Sequence, residues 1–258
     1  MDLKFCGLVI EDGIAIVTIN RPERMNALHP AAHYELDRVL AGLPENPAVR
    51  VVIITGAGKA FCAGYDLKDN LETGVMDIPP SGFAGLTLLP DYKLPLIAAV
   101  NGVAMGGGFE TALACDIIIA SEAANFALPE PKVGWAALGG GVQRLMRAIG
   151  SKQAMGMILT GRSVTATEGF RLGFVNEVVA PGDLLPAAKR WAAQILEGAP
   201  LAVQCSKQVA YASLDQPDFA AVLNVENYPG TAGLLTSEDA WEGKRAFAER
   251  RKPVWTGR

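Results

Sequence analysis

Apolar positions cluster along the first two thirds of the chain in patterns that predict β-strands. Two apolar runs, 8–10 and 14–19, flank Asp12-Gly13, a pair that supplies the positive φ angles of a tight hairpin turn. Residues 49–55 form a continuous run rich in β-branched side chains, as expected of a strand covered on both faces. Further strands are predicted over 94–100, 117–120 and 174–179.

Helical spacing of apolar residues separates these strands and dominates the last third of the chain. Pro30 is suited to a first helical position, and apolar residues follow it at helical intervals up to Leu43. Further helices are predicted over 106–114, 141–149, 152–159, 166–172, 184–196, 201–214, 219–228 and 237–250. Strand patterns stop after Asp183. We therefore predict an α/β core over residues 1–182 and a helical C-terminal extension over 183–258, in one continuous domain.

Composition narrows the class of protein. Half of the 258 residues are hydrophobic, 19% are charged, and the net charge is -4. This composition favours a folded core over disorder, and it gives no reason to expect nucleic acid or a membrane as partner. His29 and His33 are the only histidines, which excludes a site of three imidazoles and makes a metal site on this pair a weak hypothesis. We expect chemistry that uses neither a metal nor a redox cofactor.

Cysteine spacing and the first residues bear on the compartment. The four cysteines are widely spaced and form no C-x-x-C motif, so reduced and buried thiols are expected. The segment 1–4 lacks the basic and apolar regions of a signal peptide, and the longest apolar runs are far too short to span a bilayer. A cytoplasmic protein is the resulting expectation.

Glycines at 106–108 stand between a predicted strand and a predicted helix. Backbone N–H groups at a helix start lack intrahelical partners and bind anions, and glycine lets a ligand approach them closely. Glu110 lies in the first turn of this helix among apolar neighbours, where desolvation raises a carboxyl pKa toward the range of proton transfer. An ordinary favourable glutamate at a helix start explains the pattern equally well.

Glu130 is the second candidate. It lies between Pro129 and Pro131, which restrict its backbone, and apolar residues surround it in sequence. An exposed carboxylate in a turn is the alternative. Two glutamates in apolar, glycine-rich segments, one of them beside free backbone donors, form a coherent acid/base site.

Taken together, these segments resemble the crotonase family, also called the enoyl-CoA hydratase/isomerase family. The motifs that carry the resemblance extend over nearly the whole chain: R-P at 21–22, N-A-L at 26–28, A-G-x-D-L at 63–67, N-G-x-A-x-G-G-G-x-E at 101–110, P-E at 129–130, Q-R-L at 143–145 and A-F-A-E-R-R at 246–251. Each motif is weak alone, whereas the set in this order and spacing is specific.

The resemblance implies a fold, an assembly and a reaction. The family fold is a spiral of ββα units with a helical C-terminal extension that assists trimerisation and covers the active site, in homotrimers or dimers of trimers. The implied reaction is reversible addition of water across the 2,3 double bond of an enoyl-CoA thioester, with coenzyme A as part of the substrate. Glu110 and Glu130 map to the acid/base pair of the family's hydratases, and the backbone N–H groups of Tyr65 and Gly107 map to its oxyanion hole.

Further positions are implied to contact coenzyme A or the acyl chain: Arg24, Ala27, Ala63, Gly64, Asp66, Lys68, Gly106, Trp135, Leu138 and Phe247. Arg24 and Lys68 are phosphate contacts by this resemblance, although a solvated surface charge explains each equally well. Phe247 is expected to reach a neighbouring subunit.

Alternatives within and outside the family stay open. Residues 82–87, 126–130 and 253–258 are similar to family members that dehydrate carnitinyl-CoA. The trimethylammonium of such a substrate needs an aromatic or acidic wall, for which Tyr65, Phe83 and Trp135 are candidates. Isomerisation is another family reaction, and a catalytically silent acyl-CoA-binding protein is the non-enzyme alternative.

One position departs from the family pattern. Ala137-Leu138 stands where the family commonly has proline-glycine. A backbone N–H from this loop often helps to place the water in the family; Leu138 retains an N–H, but its side chain is expected to narrow the pocket. This departure leaves the acyl-group preference open.

Overall fold

The computed structural model describes residues 2–89 and 91–258. Met1, which begins the segment that lacks signal-peptide features, and Pro90 lie outside the described residues. The chain forms two compact units, one of residues up to 89 with 96–192, the other of residues 91–95 with 193–258. The domain division after residue 182 remains a prediction.

The first unit contains the strands of the described chain. They are β1 (Cys6–Glu11), β2 (Ile14–Ile19), β3 (Val51–Gly56), β4 (Ala60–Cys62), β5 (Leu96–Val100), β6 (Val103–Met105), β7 (Ile117–Ser121), β8 (Asn125–Ala127), β9 (Val164–Thr165) and β10 (Glu177–Val179).

Helices occur in both units. They are α1 (Pro30–Gly42), α2 (Leu67–Thr73), α3 (Gly107–Ala114), α4 (Gly141–Ala148), α5 (Ser151–Thr160), α6 (Ala166–Leu172), α7 (Leu184–Leu196), α8 (Pro200–Ser213), α9 (Phe219–Leu223) and α10 (Glu238–Glu249). No helix in the described part of the chain is both long enough and apolar enough to cross a membrane.

The strands form two sheets. Six strands pair in the order β1-β2-β3-β5-β7-β10, in which only the β1–β2 pair is antiparallel. Four short strands pair in the order β4-β6-β8-β9, and β4, β6 and β8 run parallel. Since β3–β4, β5–β6 and β7–β8 are consecutive pairs, each passage of the chain adds one strand to each sheet. This repetition is the predicted spiral of ββα units, and the predicted α/β fold class is confirmed.

The hairpin is formed as predicted. Asp12 and Gly13 have φ angles of 49° and 81°, and the β1–β2 register pairs Glu11 with Ile14 across the turn. The long strands and most helices also occur within a few residues of their predicted bounds. Hydrophobic periodicity is reliable where an element is long enough to repeat.

Two predicted elements are shorter than expected. The helix predicted over 219–228 ends at Leu223, because Asn224 is extended and its side-chain oxygen accepts from the Glu226 N–H at 3.1 Å. The strand predicted over 174–179 begins only at Glu177, since the N–H groups of Phe174 and Val175 donate to the carbonyl of Gly169 in α6.

Packing fixes α3 against the core of the first unit. Phe109 of α3 contacts Phe126 of β8 and Phe174, with each pair of ring centroids 5.2 Å apart. A Cβ on Gly108 would lie 2.7 Å from the carbonyl carbon of Cys62 in β4, so only glycine permits this approach. The start of α3 is thereby held against the short sheet.

Candidate active site

A cavity of about 560 Å³ lies in the first unit, at the start of α3. Nine of the residues predicted as site residues line it: Ala63, Gly64, Tyr65, Gly106, Gly107, Glu110, Glu130, Trp135 and Leu138. They come from the segment before α2, the start of α3 and the segment before α4, which lie far apart in sequence.

Two residues of the cavity lining have backbone N–H groups without an acceptor in the described chain. Gly107 is the first residue of α3, so its N–H has no intrahelical partner. Tyr65 forms a parallel bridge to Leu28, in which the Leu28 N–H and C=O bond to Gly64 and Asp66, each at 2.9 Å. The N–H of Tyr65 itself therefore points away from Leu28. A Cβ built on Gly64 would lie 3.6 Å from the nitrogen of Gly107, so the two donors are neighbours.

Glu110 is held by the loop that leads into α4. Its Oε1 accepts from the Gly141 N–H at 2.9 Å, and the carboxylate also accepts from the Gly139 N–H. Burial raises the pKa of Glu110 above its ordinary value, while these two hydrogen bonds and the positive charge of Arg144 act in the opposite direction. Glu110 therefore has specific stabilisation for its ionised form.

Glu130 has fewer compensating contacts. It begins the turn Glu130–Val133, is 8% exposed, and its Oε2 is buried without a hydrogen-bond partner among the described residues. Burial raises its pKa to about 7, and the negative charge of Glu110 adds to that rise, against a hydrogen bond from its own N–H. The alternative of an exposed turn carboxylate is therefore wrong.

The two carboxyls have different surroundings in one cavity. Glu110 accepts two backbone hydrogen bonds, whereas Glu130 has a raised pKa and an oxygen that no described group contacts. Such a difference in environment allows one carboxylate to accept a proton while the other donates one.

The remaining predicted site residues lie outside the cavity lining. Asp66 is buried, pairs with Arg21 at 3.1 Å and caps α2 by accepting from the Asp69 N–H. The carbonyl of Ala27 accepts from the same arginine. Arg24 and Lys68 are exposed. Phe247 is exposed on α10 in the second unit. The predicted contacts of these five residues with coenzyme A remain predictions.

Several features of the site escaped the sequence reasoning. Gly139 and Gly141 hold the carboxylate of Glu110, although the sequence signal, three consecutive glycines, was visible. Met76 and Ile78 line the cavity from a segment with no motif. The N–H of Leu138 donates to Ala136 at 2.9 Å, so it is not available to a water, contrary to the expectation for this loop.

The rest of the cavity wall is apolar and partly aromatic. The rings of Tyr65 and Trp135 meet edge to face with centroids 6.3 Å apart, and Phe83 also lines the cavity. Glu110 and Glu130 are the charged side chains of the described lining. The described residues contain no cluster of three or more side chains typical of a metal site. The predicted absence of a cofactor remains a prediction.

The spiral of ββα units around this cavity is the architecture of the crotonase class. Residues 9–258 match the family model described as enoyl-CoA hydratase/isomerase, and the chain belongs to this family. The predictions of this family and of an enzyme are confirmed.

Relatives in sequence and structure agree with this assignment. A carnitinyl-CoA dehydratase of Salmonella arizonae is 43% identical over 93% of this chain and 94% of its own, and one of Escherichia coli is 42% identical over 94% of each. Among solved structures, an enoyl-CoA hydratase of Mycobacterium tuberculosis has a TM-score of 0.90 with 39% identity, covering 98% of this chain and 99% of that chain. A probable enoyl-CoA hydratase/isomerase of Mycobacterium abscessus has a TM-score of 0.92 with 37% identity over the whole of both chains.

Proposed function

We propose that this protein adds water reversibly across the 2,3 double bond of an enoyl-CoA thioester. The observation that carries the proposal is the presence of Glu110 and Glu130 in one cavity, beside the unpaired N–H groups of Tyr65 and Gly107. Addition of water to such a bond requires an acid, a base and stabilisation of an enolate oxygen. This cavity has a candidate for each.

The two backbone donors bind the thioester carbonyl. As water adds at C3, negative charge develops on this oxygen, and the N–H groups of Tyr65 and Gly107 stabilise it. Loss of one such donor typically costs about 3–4 kcal/mol in the transition state. Because Gly107 opens α3, the partial positive charge of the helix start adds to this stabilisation.

The roles that we propose for the two glutamates follow from their different surroundings. Glu110, whose carboxylate is held by Gly139 and Gly141, acts as the base that removes a proton from water, whose oxygen bonds to C3. Glu130, protonated near neutral pH, gives its proton to C2 as the enolate collapses. In the reverse reaction Glu130 takes the proton from C2, and Glu110 protonates the departing hydroxyl. No metal or redox cofactor takes part in these steps.

Assembly is a further part of the proposal. We expect homotrimers or dimers of trimers, because the second unit exposes large apolar side chains, among them Leu235 and Phe247, at 81% and 88% exposure. Light scattering after size-exclusion chromatography measures the mass. A monomer at micromolar concentration would contradict this assembly.

Dehydration of carnitinyl-CoA is the second candidate activity. The curated relatives at 42–43% identity carry that name, and the cavity presents Tyr65, Phe83 and Trp135. The two charged side chains of the described lining are the glutamates proposed for proton transfer. The aromatic faces are therefore the groups of this lining that we propose to bind a quaternary ammonium.

Three substrates separate the candidate functions. Crotonyl-CoA, crotonobetainyl-CoA and a 3-enoyl-CoA are assayed for water addition or double-bond shift under identical conditions. We expect hydration of crotonyl-CoA. A preference for crotonobetainyl-CoA supports the second candidate, and double-bond shift alone supports isomerisation. Affinity for butyryl-CoA without turnover of any substrate would identify a silent binding protein.

A further inference from the structure

Residues 81–88 form a loop, here called the cavity-wall loop, that supplies one side of the cavity. Gly82, Phe83, Thr87 and Leu88 of this loop line the cavity. The loop closes on itself through hydrogen bonds from the Phe83 N–H to Thr87 Oγ1 at 2.9 Å and from the Leu88 N–H to the carbonyl of residue 81 at 2.8 Å. Its position on the protein must come from other contacts.

Two side chains of α1 anchor the cavity-wall loop. His33 Nδ1 accepts a hydrogen bond from the Ala84 N–H at 3.0 Å, and Asp37 Oδ1 accepts from the Ser81 hydroxyl. His33 and Asp37 are four residues apart and therefore lie on the same face of the helix. The loop is thus held at two points one helical turn apart.

The backbone at the first of these points needs an external partner. Ala84 has a φ of 54°, in the left-handed region that residues with a Cβ seldom adopt, at a cost of about 1–3 kcal/mol. Its N–H is buried with the loop and is satisfied by His33. Removal of His33 Nδ1 would leave the buried N–H of Ala84 without this acceptor on α1.

His33 makes this hydrogen bond while the other nitrogen of its ring is left without a partner in the described chain. The side chain is fully buried, and since Nδ1 is the acceptor, the proton of the neutral ring lies on Nε2. Nε2 has no partner within the described residues. Burial, followed by the charge of His29, lowers the pKa of His33 to about 3, so the ring remains a neutral acceptor. A buried imidazole with one unpaired N–H lowers the free energy of unfolding. The presence of a histidine at this position therefore needs a reason other than stability.

The same ring contacts both walls of the predicted oxyanion site. It packs edge to face on Phe83, with centroids 4.5 Å apart, and stacks on Tyr65 at 5.6 Å. Phe83 lies so close to the first residue of α3 that a Cβ on Gly107 would clash with its ring. His33 therefore touches the side chains next to both predicted backbone donors, although it does not line the cavity.

We propose that His33 is a positioning residue, which fixes the cavity-wall loop through Ala84 and thereby determines which acyl chains the cavity accepts. The inference deepens the proposed hydratase function and rests on it. His33 does not touch the substrate in this account. Its effect reaches the acyl chain through Phe83 and the backbone of the loop.

Three variants separate the acceptor from the ring. His33→Phe keeps a ring of similar size and removes the acceptor. His33→Asn keeps an acceptor at the position of Nδ1 and removes the ring, while His33→Gln moves the polar group one bond further away. His29→Phe is the matched control, because His29 Nδ1, at the N-cap of the same helix, also accepts a backbone N–H, that of Ala32 at 3.1 Å, and His29 is not part of the described cavity lining.

The measurement is the ratio of kcat/KM for a four-carbon and an eight-carbon 2-enoyl-CoA. We expect His33→Phe to change this ratio about tenfold or more, since small displacements of positioning groups have effects of this size. His33→Asn should remain near the wild-type ratio, and His29→Phe should leave it unchanged even if it unfolds more readily. If His33→Phe does not fold, His33→Gln replaces it in the comparison with His33→Asn.

Binding of butyryl-CoA and octanoyl-CoA, measured by calorimetry, provides a second readout that needs no turnover. A wild-type protein that binds both thioesters but hydrates neither enoyl-CoA would refute the hydratase proposal, and the ratio of the two Kd values would still test the role of His33. An unchanged ratio in folded His33→Phe, or an equal change in His29→Phe, would overturn the inference. No binding of either thioester by the wild-type protein would refute both.

Discussion

Replacement of Glu130 by glutamine should remove a loss of stability that the wild type suffers as pH rises, while it also removes the proposed acid. In the folded protein Glu130 is buried, its Oε2 has no partner in the described chain, and its pKa is raised to about 7 from an ordinary 4.5. Between these two values the folded state holds a proton that the unfolded state releases. The free energy of unfolding of the wild type therefore falls as pH rises through this window.

The size of the effect follows from the two pKa values. One pKa unit corresponds to about 1.4 kcal/mol, so ionisation of Glu130 lowers the free energy of unfolding by about 3 kcal/mol once pH exceeds 7. At pH 5 less than about 1 kcal/mol of this loss has occurred. Glu130→Gln carries no charge at either pH. The free energy of unfolding of the variant minus that of the wild type should therefore be about 2–3 kcal/mol higher at pH 8.5 than at pH 5.

Denaturation by urea at the two pH values, at one protein concentration, measures this difference. Comparison across pH cancels the cost of burying the glutamine amide, because that cost is the same at both values. An equal effect of the substitution at pH 5 and pH 8.5 would refute the argument that burial holds Glu130 protonated. If Glu130→Gln were more destabilising at pH 8.5 than at pH 5, the direction of the pKa shift proposed for Glu130 would be wrong.

Three further predictions follow from the site. The kcat/KM for hydration should fall about tenfold per pH unit above pH 7, as Glu130 loses its proton, and a flat profile to pH 9 would exclude it as the acid. Gly107→Ala should lower kcat/KM about 10²-fold or more, because its Cβ would meet Phe83 and displace a backbone donor, whereas Gly156→Ala, with open space around its Cβ, should have no effect on the rate. Asp66→Asn should lower the free energy of unfolding by about 3–5 kcal/mol at pH 7, because the charge of the buried Arg21 loses its carboxylate partner, and urea denaturation should show this deficit shrinking as pH falls through the lowered pKa of Asp66.

The core of the site was predictable because its signals are local. Gly107 and Glu110 belong to one segment, in which a strand, a glycine run and an apolar helix follow each other directly. Both the free N–H and the burial of the carboxylate follow from this order. Glu130 lacked such a pattern: its flanking prolines and apolar neighbours favoured an apolar site, but an exposed carboxylate in a turn also fitted the sequence.

Other features depend on contacts between distant segments and left no local signal. Strands of the short sheet, such as β9 with two residues, are too short for a period to appear. The anchoring of the cavity-wall loop by His33 joins residues 51 positions apart, and a fully buried histidine looks like a surface one in sequence. Asp66 fits a family motif, but its observed contacts are an ion pair and a helix cap.

The most direct test of the central claim is the rate of crotonyl-CoA hydration by Glu110→Gln and Glu130→Gln, measured beside butyryl-CoA affinity. Two glutamates that perform the proton transfers predict a loss of about 10²–10⁴-fold in kcat for each variant, with affinity for butyryl-CoA retained. A near-normal rate in either variant would contradict the proposed mechanism.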